Sequence, residues 1–97
     1  MVDIHWTEES ELWLKDIFDF IALDKKTIAK KVVSEIYKKV QILKNFPKMG
    51  YLYFNDSEDE IRILLYGHYR IAYLIKDEKN IDILGVFHGS LDIQRYL

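Results

Sequence analysis

The sequence predicts an α+β domain: a β-strand, a helical hairpin, a β-meander and a short C-terminal helical turn. Two observations carry this. Residues 8–43 place apolar side chains at helical spacing in two blocks, and from Gly50 onward the apolar period changes to two. A third fixes the arrangement. The helical blocks are parted only by Asp24-Lys25-Lys26-Thr27, too short for anything but an antiparallel pair. The hairpin must then pack on one face of a small, mainly antiparallel sheet.

The elements follow in order. Val2–Trp6 alternates as a half-buried strand does. Thr7 is placed to cap a helix whose first turn holds Glu8, Glu9 and Glu11, where the helix dipole favours negative charge. Leu14, Ile17, Phe18 and Ile21 form its buried stripe, widened by Trp13 and Phe20, and it runs to about Leu23. Ala29, Val32, Val33, Ile36, Val40 and Leu43 form the stripe of a second helix, with most lysines outside it. Proline disfavours helical geometry in the residue before it, so this helix stops at Phe46-Pro47. Tyr51–Phe54 reads as a short strand or an extended connection, and Asn55–Glu60 as an acidic loop. Ile61–Leu65, Tyr69–Ile75 and Ile81–Phe87 are three strands, turning around Gly67 and around Asp77–Asn80. Ser90–Leu97 forms the closing helical turn, starting at Gly89 or Ser90.

Turns centred on Gly67 and Glu78 oppose Leu64 to Arg70, Arg70 to Val86 and His68 to His88. Opposed residues share a face. The odd-numbered positions, Ile61, Ile63, Leu65, Tyr69, Ile71, Tyr73, Ile75, Ile81, Ile83 and Phe87, then lie under the helices. The even-numbered face gathers Arg62, Arg70 and His88 among Leu64, Ala72, Leu74, Leu84 and Val86, with no helix to cover it. An arginine fork suits phosphate and a histidine exchanges protons near neutrality, so such a face has the makings of a site. The convergence holds only if neither hairpin carries a bulge. On the plainer reading Arg70 pairs with a local carboxylate such as Asp92, and His88 caps the last turn.

Composition narrows the function. With 97 residues the chain has room for one core, expected as a single domain over residues 1–97. It has no cysteine, which suits a reducing cytoplasm and excludes disulfides and thiolate metal sites. No leader pattern or membrane-length apolar run is present, so a cytoplasmic protein is expected. His5, His68 and His88 lack ligand spacing, so neither metal nor cofactor is expected. The net charge of −2 is unevenly spread: residues 1–24 carry −6, residues 25–48 carry +7 and residues 49–97 carry −3. The basic stretch is the wet side of the second helix or an anion-binding face. The aromatic group Trp6, Trp13, Phe18 and Phe20 reads as core.

Four motifs resemble one superfamily. Tyr69-Arg70-Ile71-Ala72-Tyr73 is similar to the YR strand of the RelE/ParE superfamily of type II toxin–antitoxin toxins. Val86-Phe87-His88-Gly89 with Asp92 resembles the closing segment of ParE-like and plasmid-stabilisation members. Leu43, Phe46, Pro47 and Gly50 match the end of the helical hairpin, and Arg62 sits where a basic residue often precedes the YR strand. The resemblance spans nearly the whole chain in the same element order.

The resemblance implies a growth-inhibiting toxin held in check by a small cognate antitoxin, as a toxin–antitoxin hetero-oligomer or with a homodimer. ParE-like members inhibit DNA gyrase; RelE-like members cleave mRNA in the ribosome without a metal. For cleavage, Arg70 would stabilise the scissile phosphate, His88 would protonate the leaving oxygen, and Tyr96 would orient a base by stacking. Arg62, Arg70, Asp92 and Arg95 would bind the target. The acidic net charge and the neutral Ser90 and Leu91 place the gyrase reading ahead of the ribosomal one. A non-catalytic protein-interaction module is the rival from another class.

Overall fold

The computed structural model describes residues 1–89, 91 and 93–97. The elements run β1 (Asp3–Trp6), α1 (Glu8–Ala22), α2 (Lys26–Gln41), a 3-10 turn (Ile42–Lys44), β2 (Tyr51–Tyr53), β3 (Glu60–Tyr66), β4 (Tyr69–Ile75), β5 (Asn80–His88) and a second 3-10 turn (Ile93–Arg95). The five strands form one sheet in the order β1-β5-β4-β3-β2. β2 to β5 are an antiparallel meander, and β1 returns to lie parallel beside β5. The α+β class and the element order match the expectation. Asp92 and Ser90, the latter one of the two residues expected to start the closing turn, lie outside the described residues.

Thr7 secures the junction of β1 and α1. Its side chain accepts from the Ser10 amide at 3.1 Å and donates to the Ile83 carbonyl at 2.6 Å. Ser10 is itself buried and donates its hydroxyl to the Thr7 carbonyl at 2.7 Å. The cap therefore fixes both the start of the helix and its position against β5.

Leu14, Ile36, Val40 and Leu43 from the helical layer meet Leu64, Ile71, Tyr73, Ile81, Ile83 and Val86 of the sheet in the main core. A second cluster fills the opposite face: Ile63, Ala72, Phe87 and Ile93, with Tyr53, Leu84, Leu91 and Leu97 packed against them. The second face is therefore not open. Leu91, Ile93 and Leu97 of the C-terminal segment pack on it, and Trp13 reaches it from α1.

The strand registers differ from expectation at two places. Gly67 and His68 alone form the β3–β4 turn, since Tyr66 already pairs with Tyr69. Gly67 takes φ +54°, which suits a hairpin needing a left-handed residue at its first central position. This even-length loop turns β3 over relative to the odd-length one. Leu64 enters the main core, Ile63 joins the second cluster, and Leu65 is 54% exposed. In β5, Tyr73 pairs with Ile83 but Ala72 pairs with Gly85, so Leu84 is an extra residue, a β-bulge. Beyond it β5 too is turned over, sending Val86 to the helices and Phe87 to the second face.

Candidate functional site

β4 keeps its predicted alternation. Tyr69, Ile71 and Tyr73 point to the helices, so Arg70 and Ala72 belong to the second face. Beyond the bulge Arg70 is opposed to Phe87, and His88 is opposed to Tyr69. Opposed residues share a face, so Arg70 and His88 emerge on opposite sides of the sheet. Arg62, opposed to Tyr73, is on the helix side and near the other end. The predicted convergence of Arg62, Arg70 and His88 does not occur; the bulge and the two-residue turn disperse it.

Arg70 instead serves the C-terminal segment. Its Nη2 donates to the Leu91 carbonyl at 2.7 Å. Its Nε is buried and has no hydrogen-bond partner among the described residues. On the same face Tyr96 stacks on Phe87 with centroids 5.6 Å apart. Trp13 reaches this group from α1, edge-on to Phe87 at 4.7 Å and to Tyr96 at 5.0 Å. Arg95 is exposed on the second 3-10 turn. Tyr96 is thus occupied in seating the C-terminal segment. Arg70 and Tyr96 both hold the C-terminal segment, on whose 3-10 turn Arg95 stands exposed.

Arg62 has a different task. Its Nη1 donates to the Gly50 carbonyl at 2.7 Å and its Nε to Glu60 at 2.8 Å. Beside it the Tyr73 hydroxyl donates to the Pro47 carbonyl at 2.7 Å and accepts from the Gly50 amide at 3.0 Å. Gly50 has no room for a side chain: a Cβ would come within 2.7 Å of the Ile63 carbonyl oxygen. Three of the motifs noticed in the sequence therefore meet in one latch that fastens the chain leaving the helices onto β3 and β4. Burial pushes the Tyr73 phenol above its ordinary pKa.

On the helix side His88 packs edge-on to Tyr69 at 5.7 Å and lies 6.3 Å from the ring of His68. Burial raises the Tyr69 phenol. His88 and Tyr69 end a groove of about 450 Å³ lined by Trp13, Ile17, Phe20 and Ile21 of α1 with Val86 and Leu91. Phe20 is 78% exposed at its rim, and Leu23 beyond it is also exposed. Of the aromatic group expected in the core, Trp6 and Trp13 do pack against it, Trp6 on Tyr37 and Trp13 on Phe87, whereas Phe20 faces solvent. Sequence reasoning missed the groove although a signal existed. Phe20, expected to widen the buried stripe, and Leu23 beyond it are both exposed, so the end of α1 carries more apolar surface than the core covers. Among the described residues no three His, Asp or Glu side chains are disposed to hold a metal, and no helix is long and apolar enough to cross a membrane.

A helical hairpin laid on an open, mostly antiparallel five-stranded sheet, with a C-terminal strap across the other face, is a fold with solved relatives. The structure described as the chromosomal ParDE TA system from P. aeruginosa matches with a TM-score of 0.74 and 23% identity, covering 91% of this chain and 96% of that one. By sequence, residues 4–93 match the ParE toxin of the type II toxin–antitoxin system parDE, and the chain belongs to that family. A search of curated proteins finds no match.

Proposed function

We propose that residues 1–97 act as one toxin domain, which arrests growth by blocking DNA gyrase and is silenced by a small cognate antitoxin in the cytoplasm. The observation that carries the choice of target is the separation of Arg70 from His88 by the sheet itself. Cleavage of RNA asks a phosphate-stabilising cation and a general acid to reach one scissile phosphate together. Here the cation is committed to the Leu91 carbonyl on one face, and the histidine packs beside Tyr69 on the other. The net charge of −2 also opposes approach to ribosomal RNA. A protein target needs no such proton relay, only a shaped surface, and the C-terminal surface around Arg70, Arg95 and Tyr96 supplies one. Arg62, fastened in its latch, keeps only a supporting part in target binding.

The antitoxin reading rests on family membership and on the groove beside α1, since a contiguous exposed apolar surface on a small domain marks an interaction site. An amphipathic segment laying apolar residues between Phe20, Tyr69 and Leu91 fits it. The exposed lysines 26, 30, 31 and 38 of α2 favour an acidic partner. In the P. aeruginosa structure the related chain is likewise part of a toxin–antitoxin system.

Two assays on the purified chain test the target: supercoiling by gyrase, and integrity of message on programmed ribosomes. The expected result is lost supercoiling with intact message. Cut message with normal supercoiling would replace this reading with the mRNA interferase. Neither effect would leave an interaction module.

A further inference from the structure

The two edges of the sheet are finished differently. β1 shows solvent the polar side chains of Asp3 and His5, the usual means of discouraging edge-to-edge pairing. β2, outermost at the other edge, has no charged residue and no proline: Tyr51, Leu52 and Tyr53, followed by Phe54. Tyr51 and Leu52 are exposed, Phe54 is 86% exposed, and Phe46 and Met49 extend the apolar surface. An uncharged, hydrophobic strand edge is a template for another strand. Among the described residues this one meets only a long contact of 3.4 Å, from Asn55 Nδ2 to the Tyr53 carbonyl.

Charge along the chain selects the strand that fits. Lys44 and Lys48 precede β2, whereas Asp56, Glu58, Asp59 and Glu60 follow it. A second β2 laid antiparallel meets the basic flank with its acidic one at both ends. We propose that β2 pairs with β2 of a second copy of this chain, antiparallel about a two-fold axis through Leu52, joining two sheets into one. That register sets position 51 beside 53 and 50 beside 54, so that Phe54, 86% exposed in its own chain, comes beside Gly50 of the second copy. Past the strand ends, the turn that holds Lys48 faces the bend that holds Asp56, once on each side of the axis. The interface is isologous, so pairing stops at two copies instead of growing into a fibre. It lies at the far edge of the sheet from β1, away from the groove of α1, and holds whether or not the gyrase reading does.

Sedimentation equilibrium of the purified full chain without antitoxin tests this. A concentration-dependent monomer–dimer equilibrium is expected. Leu52→Lys, which opposes two lysines across the axis at an exposed position, should give a monomer with unchanged circular dichroism. Lys48→Glu or Asp56→Lys alone should each weaken the dimer about tenfold, turning two attractive pairs into repulsive ones. The double variant K48E/D56K should restore it. A wild-type monomer at every concentration would overturn the proposal. So would a dimer indifferent to Leu52→Lys, or single-variant losses that the double exchange fails to repair.

Discussion

Arg70 and His88 lie on neighbouring strands near one end of the sheet, yet they emerge from opposite faces, because Leu84 adds one residue to β5 between Ile83 and Gly85. The bulge sits where β1 ends and Thr7 takes the Ile83 carbonyl with both its amide, at 3.3 Å, and its hydroxyl. The edge of β5 passes there from β1 to α1. An extra residue in one strand of a pair is a device for re-aiming side chains, and here it decides which chemistry is assembled.

The turned register of β3 gives a direct test. Leu64→Asp places an unpaired carboxylate in the main core, at a cost of several kcal/mol against a total stability of roughly 5–15 kcal/mol. That variant should be unfolded or insoluble. Leu65→Asp should melt within a few degrees of wild type, because Leu65 is exposed. Thermal melts of the pair check it, and the opposite order would restore the odd-numbered face.

Much of the fold was legible in the sequence. Helical spacing from Leu14 to Leu43, the Thr7 cap and the period-two strands announced the elements, and each is a local property. Sheet register is not local. Whether Gly67 stands alone in its turn or shares it with His68 changes no periodicity, and Leu84 fits an apolar run as well as any bulge residue. The motifs were legible as words while their meaning was not. Pro47, Gly50, Arg62 and Tyr73 turn out to hold one another, which only the tertiary structure brings together.

That latch should matter for stability. Tyr73→Phe deletes the hydroxyl between the Pro47 carbonyl and the Gly50 amide and leaves buried polar groups without it, a loss of about 1–3 kcal/mol. Urea denaturation should show a lower midpoint with an unchanged slope. A variant as stable as wild type would remove the latch from the energetics.

If Arg70 positions the C-terminal segment, Arg70→Ala should loosen that segment without unfolding the core. Losing a hydrogen bond from a charged donor, worth about 1.5–3 kcal/mol, should speed amide exchange at Tyr96 and Leu97 roughly ten- to hundredfold. Both amides bond to the Ile93 carbonyl, at 3.0 and 3.2 Å. Core amides of β4 and α2 should keep their protection. Equal acceleration throughout would mean that Arg70 supports the whole fold.

Alkaline pH should destabilise the protein through its tyrosines. Burial, aided by the hydrogen bond to Glu11, pushes the Tyr37 phenol up to about 12, and burial also raises Tyr69 and Tyr73. The folded state holds these protons more tightly than the unfolded chain. Their stabilisation is therefore complete below the ordinary phenol value of 10.0 and is lost as pH rises toward about 12. Melting temperature followed across that window should fall, together with the rise of tyrosinate absorbance. In Tyr37→Phe the fall should be shallower.

Growth arrest on expression of a folded His88→Gln variant bears most directly on the central claim, that the toxin acts through its C-terminal surface and not through a histidine proton relay. Glutamine keeps the approximate size and polarity of the side chain but cannot serve as a general acid, a loss typically of about 10²–10⁴ in rate where proton transfer is required. The predicted result is arrest as strong as wild type, with message intact. Loss of arrest in a variant that remains folded, with ribosomal message cut by wild type and spared by the variant, would contradict it.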